Sequence, residues 1–416
     1  MFRFIMGALQ NESFSKNSLI LFLFFSSWGI WWSFFEIWLS STENGLGLTS
    51  KEIGVIYSVN SVSTLVVTFV YGIFQDKIGV SYLLIFISTI IASFIGPFFV
   101  FFYSQFLTSH FYIGAILGSV FLASAFLGAM GLYETVIEKF SRAYNFNYAY
   151  SRAFGSLGYA VASLFSGVLF VTNSNLIFWT SSLLSLLLLI FLFALKLDNE
   201  QKKLLNFNDG IRSKIKLRDA LLLTKVSKFW ILVLVILGTC PLYIIFEQQL
   251  FPSFFMEIAG SHGEPEKLYS FLTGIQVFLE VIFILLVPRF IPILGVKRMI
   301  LLSFMVMEIR IGLSISSTNL IIIVITKLMH AIQIPLLIIT IFKYINHHFN
   351  AKLSATVYLI GYILVVELGE ILFSIPIGVI KDQIEFKSTF ILMFVIIGGT
   401  SIFAKLYLEK DSPEHT

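Results

Sequence analysis

Charged side chains are scarce in this chain of 416 residues. Asp, Glu, Lys and Arg together make up 12% of the sequence, whereas soluble globular proteins carry about 25%. Hydrophobic residues make up 57%, including 46 phenylalanines, and the mean hydropathy is +0.90. So little charge on so long a chain indicates an integral membrane protein.

Cysteine is almost absent, and the charges that are present nearly balance. A single cysteine, Cys240, excludes an internal disulfide bond and a cysteine-based metal cluster. The net charge of +4 is too small to indicate a nucleic-acid partner. No cofactor or metal is expected, and the sequence holds no H-x-x-x-H or G-x-S-x-G motif that would favour an enzyme.

Apolar runs of spanning length, roughly 20 residues each, recur along the whole chain. They lack the alternation of polar and apolar residues that is typical of membrane β-barrels. The first run is too long for the core of a secretory signal, so we expect it to remain in the protein. The sequence therefore predicts an all-α integral membrane protein with twelve transmembrane helices, at about 18–41, 53–75, 82–104, 111–137, 149–171, 175–196, 229–252, 268–289, 299–317, 319–343, 354–378 and 388–408.

A polar and strongly basic segment divides the twelve runs into two sets of six. We predict an N-terminal six-helix bundle at 1–196, a cytoplasmic basic linker at 197–228 and a C-terminal six-helix bundle at 229–416. The strings "GIFQDKIG" and "PRFIPILG" follow the second and eighth runs. Gly72, Asp76 and Gly79 in the first string have the same spacing, zero, four and seven, as Pro288, Pro292 and Gly295 in the second. Together with the count of six and six, this echo predicts two pseudo-symmetric bundles.

The distribution of lysine and arginine predicts the orientation in the membrane. With both termini inside the cell, most of the 28 basic residues lie on cytoplasmic segments. Only Lys51, Lys267, Lys381 and Lys387 then fall on external loops. We therefore expect a multi-pass membrane protein with both termini in the cytoplasm.

Ionisable residues within the predicted spans are the strongest functional signal. The predicted spans contain seven carboxyls but only three fixed cations and one histidine, so ion pairing cannot neutralise all of the carboxyls. Some of these acids must be protonated, contact water or bind a cation, and a buried acid of this kind suits proton coupling. Glu36 and Glu308 could instead be hydrated residues at span edges. The full set is Glu36, Glu134, Arg152, Glu247, Glu280, Glu308, Arg310, Lys327, His330, Glu367 and Glu370.

Two groups of polar residues recur at a spacing of three. Lys327, His330 and Gln333 lie in one apolar run and can line one side of a cavity. Glu367 and Glu370 share a helix face, where they could share a proton or each pair with a cation from another helix.

Several strings resemble the oligosaccharide:proton symporters of the major facilitator superfamily. The resemblance is closest to the sucrose-permease branch, and the lactose-permease branch is more distant. It covers nearly the whole chain. It is carried by "SWGIWWSFFEIWL", "YSVNSVSTLVVTFVYGIFQDKIG", "YNFNYAYSRAFGSLGYA", "FEQQLFPSFF", "QVFLE", "KLMHAIQIP" and "FKYINHHFNAKLSATVYLIG".

This resemblance implies two groups of site residues. Sugar would be bound by Glu134 and Arg152, whose charges neutralise each other, beside Ser156, with Tyr159 stacking where lactose permease has a tryptophan. The other residues implied for sugar binding are Gln276, Glu280 and His330. Proton coupling would involve Tyr243, Glu247, Glu280, Arg310, Lys327 and His330, with Glu247 and Lys327 forming an interhelical ion pair, and we add Glu367 and Glu370 to this set.

The resemblance also implies a loop that latches the cytoplasmic side, made by Gly72, Asp76, Lys77 and Gly79. One departure from the family pattern concerns the proton directly. Family members have a glutamate where this chain has Gln333, and an amide cannot titrate. A proton site relocated to Glu280 or to the Glu367/Glu370 pair would reconcile these facts, as would the loss of coupling.

We expect the protein to take up a disaccharide together with a proton by alternating access, and we expect the disaccharide to be sucrose. The two bundles would rock about a central site, and the protein would be a monomer in the lipid bilayer. The alternatives are symport of a galactoside or another oligosaccharide, and uncoupled facilitation of sugar. A membrane-embedded enzyme, a channel and a sugar sensor are rivals from other classes, and saturable counterflow of labelled sugar would separate a carrier from them. An antiporter that exports a drug or a sugar is a rival within the carrier class.

Overall fold

The computed structural model of the protein describes residues 11–78, 82–195 and 223–410. Every regular element in these ranges is a helix. A helix satisfies its own backbone N–H and C=O groups, which the hydrocarbon core of a membrane requires because it offers no water as a partner.

The helices are named in chain order. They are α1 (Glu12–Ser40), α2 (Ser50–Ile78), α3 (Leu83–Ser93 with Ile95–Ser109), α4 (Phe111–Ala143), α5 (Tyr148–Thr172), α6 (Leu176–Ala194), α7 (Ser227–Ala259), α8 (Pro265–Leu294), α9 (Val296–Ser316), α10 (Leu320–His348), α11 (356–384) and α12 (386–407). The last two form one apolar stretch, Thr356–Tyr407, which breaks at Glu385. With α3 counted as one bent span, the described residues contain the twelve spans that the sequence predicts.

The breaks within these spans have local causes. α3 bends by 41° at Phe94, just before Pro97, whose missing N–H leaves one helical carbonyl without its usual partner. α7 is interrupted at Gly238 and Thr239 for the same reason, because Pro241 follows. The break between α11 and α12 is different, since Glu385 itself adopts φ 65° and ψ 174°.

In the described ranges, four spans contain a short π-helical segment: Phe98–Tyr103 in α3, Ala123–Leu127 in α4, Phe246–Leu250 in α7 and Leu359–Ile363 in α11. A π segment adds a residue to the turn and re-aims the side chains around it, and such segments are frequent at functional sites. The segment in α7 carries Glu247.

The contacts within the molecule define two compact units. Among the described residues, the first unit comprises 11–47, 62–78, 82–195 and 266–274, and the second comprises 48–61, 223–265 and 275–410. The linear division at 196 and 229 stays a prediction.

In the first unit α1 packs closely on α5, and small residues permit this approach. A Cβ on Gly158 would lie 2.3 Å from the carbonyl oxygen of Phe22, and a Cβ on Gly29 would lie 2.9 Å from the ring of Tyr159. These contacts fix the position of α5, and therefore of the polar residues that α5 carries.

Candidate substrate and proton sites

A buried ion-pair network lies in the second unit and is centred on Glu247 of α7. Its Oε2 accepts a hydrogen bond from Arg310 Nη2 of α9 at 2.7 Å, and its Oε1 accepts one from Lys327 Nζ of α10 at 3.0 Å. The predicted ion pair between Glu247 and Lys327 is therefore present. Arg310 is a second cationic partner of the same carboxylate.

Arg310 is fully buried, and its N–H groups donate hydrogen bonds to several residues besides Glu247. Its Nε donates to the carbonyl of Thr326 at 2.5 Å, and its Nη1 donates to the hydroxyl of Tyr243. His330 Nδ1 lies 3.1 Å from Arg310 Nη1 and 3.0 Å from the Tyr243 hydroxyl. Because two donors face this nitrogen, the geometry suits a His330 ring that accepts a hydrogen bond there.

The charges of this network do not cancel. One carboxylate contacts two fixed cations at about 3 Å, and a proton added to Glu247 would leave both cations buried without a counter-charge. Breaking a buried pair in this way is costly, because the remaining charge has lost both water and its partner. The network therefore favours an ionised Glu247.

A separate ion pair lies in the first unit. Arg152 Nε of α5 donates to Glu134 Oε1 of α4 at 2.6 Å, and Arg152 Nη1 donates to Ser156 Oγ at 3.2 Å. The guanidinium carbon lies 4.2 Å from the centre of the Phe25 ring. Both side chains of the pair remain about 30% exposed. Free donor positions on Arg152 and the second oxygen of Glu134 can therefore reach a polar ligand.

Tyr159 lies on the same helix as Arg152, about two turns further along, and is half-buried against α1. Ser156 lies between them in sequence and is also half-buried. α5 thus carries three of the residues that the resemblance implies for sugar binding.

Two further hydrogen bonds of the second unit join a carboxyl to a neutral side chain. Gln276 Nε2 donates to Glu280 Oε1 at 3.1 Å within α8. Glu370 Oε2 of α11 accepts from Ser61 Oγ of α2 at 3.3 Å. In the described part of the chain, no lysine, arginine or histidine lies within ion-pair distance of Glu370. Glu367, one turn earlier, is half-buried.

Gln333 of α10 is fully buried, and neither of its amide atoms has a hydrogen-bond partner among the described residues. An unsatisfied buried amide costs about 1–3 kcal/mol per polar group. Lys327, His330 and Gln333 therefore do not form one joint network, since only the first two contact the ion pairs around Glu247.

Comparison with known proteins identifies the family. A model of the LacY proton/sugar symporters matches residues 6–415. Sucrose permease of Escherichia coli is 35% identical over 96% of this chain and 95% of its own length. Raffinose permease of Escherichia coli is 31% identical over 97% and 94%, and a lactose permease of Klebsiella oxytoca is 29% identical over 86% of each chain.

The chain belongs to the LacY proton/sugar symporter family.

Solved structures of transporters share its fold. The nucleoside transporter NupG superimposes with a TM-score of 0.78 at 16% identity, over 95% of this chain and 98% of that one. A D-xylose-proton symporter gives a TM-score of 0.65 at 15% identity, over 98% of both chains. This LacY-family chain is therefore a multi-pass membrane protein with the major facilitator fold.

Some predicted residues of this family member lie apart from both sites or beyond the described ranges. Gly72 and Lys77 are exposed near the end of α2. Gly79, the side chain of Asp76 and residues 197–222 of the predicted linker lie outside what the structure describes. Glu36 is 3% exposed, so its interpretation as a hydrated edge residue is wrong, because it lies one turn inside the end of α1.

Two contacts of this LacY-family chain are not indicated by its sequence. Phe25 covers the guanidinium of Arg152, and Ser61 donates to Glu370. Phe25 is one of 46 phenylalanines, and nothing in its local pattern marks it. Ser61 lies in "YSVNS", a string that carried the resemblance, but its partner is more than 300 residues away.

Proposed function

We propose that this protein takes up a disaccharide together with a proton by alternating access, and that sucrose is the sugar. Relatives named for sucrose, raffinose and lactose support an oligosaccharide as the substrate. Tyr159, at the position where lactose permease has a stacking tryptophan, favours sucrose over a galactoside. Symport of a galactoside or another oligosaccharide is the alternative within this class.

The observation that carries the proposal is the half-exposed pair of Glu134 and Arg152. A guanidinium held by a carboxylate, a hydroxyl and an aromatic ring is already oriented, so little freedom is lost when it binds a ligand. The pair is neutral as a whole and offers both donors and acceptors, which matches adjacent sugar hydroxyls. Gln276, Glu280 and His330 are proposed to bind the sugar as well.

The coupling to protons is tested in sided membrane vesicles. Addition of sucrose without a membrane potential should alkalinise the outside of vesicles that contain the protein, because each sugar would enter with a proton. Vesicles without the protein are the control. Sucrose uptake with no change of external pH would contradict symport and support a facilitator.

We propose that the proton is carried by Glu280, Glu367 or Glu370, because Glu247 is compensated by Arg310 and Lys327. Tyr243 and His330 would transmit the change through the same network. Replacing each candidate carboxyl with glutamine should identify the carrier, since that variant should keep sugar exchange and lose sugar-driven proton uptake. Glu308→Gln, a half-buried glutamate on α9, is the matched control.

Uncoupled facilitation is a second candidate, favoured by one observation. Gln333 is a buried amide without a partner in the described residues, and it cannot take up a proton. If the protein is a facilitator, Gln333→Glu should introduce sugar-dependent proton uptake that the parent lacks. If proton uptake is already present in the parent, the facilitator proposal is excluded.

We propose the remaining features of the transporter on the sequence pattern. The six helices of 1–196 would supply the sugar pair and the six of 229–416 the proton network, joined by a basic cytoplasmic linker. Gly72, Asp76, Lys77 and Gly79 would gate the cytoplasmic side. The protein would be a monomer in the bacterial inner membrane with both termini inside. Protease cleavage at the linker in vesicles of known orientation tests this topology.

A further inference from the structure

The N-terminal end of α2 is capped by a side chain from a remote helix. The backbone N–H of Ser50 donates to Asp382 Oδ1 at 3.0 Å, and the N–H of Lys51 donates to Asp382 Oδ2 at 2.8 Å. These are the first two N–H groups of the helix, which its own backbone cannot satisfy. Asp382 lies near the end of α11, 332 residues after Ser50.

This cap is additional to the one that the local sequence provides. Thr49 and Glu52 form a capping box, in which Glu52 Oε2 accepts from the Thr49 N–H at 2.9 Å and Thr49 Oγ1 accepts from the Glu52 N–H at 3.3 Å. Asp382 binds only the two donors that the box leaves open. The remote carboxylate is therefore not needed to start α2, and its distinctive effect is to join α2 to α11.

Close contacts between α2 and α11 continue along both helices beyond the cap. A Cβ on Gly378 would lie 2.2 Å from the carbonyl oxygen of Ser50, and a Cβ on Gly54 would lie 2.4 Å from that of Ser374. Further along, Ser58 Oγ donates to the carbonyl of Ile371 at 2.9 Å. Small residues at intervals of four let two helix backbones approach closely in a membrane.

The last contact of this row connects it to a proposed proton site. Ser61 Oγ donates to Glu370 Oε2. Ser61 is also where the contact pattern of α2 changes, because residues 48–61 group with α11 and residues from 62 onward group with the first unit. The segment 50–61 is thus attached to α11 along its whole length.

The negative charge of Asp382 lies at the N-terminal end of α2. Lys381, the neighbour of Asp382 in sequence, places its Nζ 4.5 Å from the centre of the Phe386 ring. A carboxylate that accepts two N–H bonds at a helix N-terminus is stabilised by the helix dipole as well as by the hydrogen bonds. Asp382 is exposed, so water can replace the two donors when the contact opens.

We propose that Asp382 is the latch of this contact: its carboxylate holds the N-terminal end of α2 on α11, and the cap must open during each transport cycle. The second part rests on the proposed transport function. Asp382 acts through the position of α2, so it is a positioning residue and is not expected to touch the sugar.

The cap itself is tested by amide hydrogen exchange on the full-length protein in lipid nanodiscs, without sugar. In Asp382→Ala, the amides of residues 50–58 should exchange about tenfold faster than in the parent, as expected for a lost helix cap. Glu257→Gln, an exposed carboxyl that lines the same cavity of about 720 Å³ as Asp382, should change nothing. Equal exchange in Asp382→Ala and the parent would overturn the cap.

A second variant tests the packing of α2 on α11 without changing the Asp382 carboxylate. Gly378→Ala pushes a methyl group into the carbonyl of Ser50 and should also speed exchange in residues 50–58. Gly398→Ala on α12, where nothing lies within 4 Å of the new Cβ, is its matched control. If Gly378→Ala leaves the exchange of residues 50–58 at the parent's rate, the close seating on α11 is wrong.

The opening step is tested by locking the contact. Ser50→Cys and Asp382→Cys are combined in a Cys240→Ala background, so that oxidation can join only α2 and α11. On oxidation the double-cysteine protein should lose at least about tenfold of its initial rate of sucrose uptake and regain it with dithiothreitol. The uptake rate of either single-cysteine variant should not change on oxidation. A static contact would tolerate the disulfide, so unchanged uptake by the cross-linked protein would overturn the latch.

The two experiments separate the latch from the proposed substrate. Hydrogen exchange decides the cap whether or not sucrose is transported. If the parent takes up no sucrose, the proposed sugar fails, and the locking experiment is repeated with a labelled sugar that the parent does take up. If a transported sugar is found and the cross-link still has no effect, the latch alone is wrong.

Discussion

Arg152 and Arg310 show how one residue type can have opposite roles in the same protein. Arg310 is fully buried and its donors are taken by Glu247, Tyr243 and the carbonyl of Thr326. Arg152 has one carboxylate partner and remains about 30% exposed. The first geometry suits a structural and electrostatic centre, and the second suits a residue that receives a ligand.

Arg152→Lys should abolish sugar binding. A lysine keeps the charge but cannot reproduce the planar fork that contacts Glu134 and Ser156 at the same time. We expect the affinity for sucrose to fall by at least about 100-fold, which corresponds to about 2.7 kcal/mol. Arg142→Lys, which alters an exposed pair with Glu138, is the control. Isothermal titration with sucrose measures both, and retained affinity would refute the assignment.

Glu247→Gln should destabilise the folded protein. The change leaves Arg310 and Lys327 buried without a counter-charge, and loss of one partner of a buried pair costs about 3–5 kcal/mol. The melting temperature in detergent should therefore fall clearly. Adding Lys327→Met should recover part of the loss, because it removes one of the uncompensated cations. A melting temperature equal to that of the parent would show that the network is not important for stability.

At the scale of the helices, interruptions and close approaches position the functional side chains. The π segment of α7 carries Glu247, and Gly158 allows α5 to approach α1 closely enough for Phe25 to cover Arg152. Neither the π segment nor Gly158 supplies a group that would bind sugar or a proton, but each determines where a charged side chain lies. Substitutions at such positions therefore test the placement of the sites.

Gly158→Ala should separate α1 from α5. The new Cβ would lie 2.3 Å from a backbone carbonyl, which cannot move aside as a side-chain tip can. Overpacking of this kind costs about 1–3 kcal/mol. Gly131→Ala on α4, where nothing lies within 4 Å, should be neutral or slightly stabilising because alanine favours a helix. Thermal unfolding of the two variants measures the contrast, and similar melting temperatures would contradict it.

Glu385→Gly should stabilise the turn between α11 and α12. A φ of 65° with a ψ of 174° strains every residue except glycine, and such conformations cost about 1–3 kcal/mol. Gln383→Gly, an exposed position two residues earlier without a positive φ, should instead destabilise. A lower melting temperature for Glu385→Gly would show that the glutamate side chain offsets the strain.

At the scale of the whole molecule, the excess of acidic over basic groups in the spans is the main physical constraint. Three cations compensate Glu134 and Glu247, and Glu370 contacts the neutral side chain of Ser61. Because no cation lies within ion-pair distance of Glu370 in the described part of the chain, a proton on Glu370 would leave no buried cation uncompensated.

A competition panel tests the substrate of the whole transporter. Uptake of labelled sucrose should be inhibited by unlabelled sucrose at a concentration at least about tenfold lower than by lactose or melibiose, if the Tyr159 position sets the preference. Saturable counterflow should also be present, as a carrier requires. Stronger inhibition by a galactoside would reassign the sugar while leaving membership of the family unchanged.

The membrane class, the twelve helices and the family could be predicted from the sequence, because long apolar runs and ordered strings of matching residues are local properties of the chain. The sequence also predicted the pair of Glu247 and Lys327 through the resemblance. The packing of the helices was needed to find the two cationic partners of Glu247, the contact of Phe25 with Arg152 and the cap of α2 by Asp382. Those contacts join residues up to 332 positions apart, and their pairing depends on how the helices pack, for which a sequence pattern contains no distance.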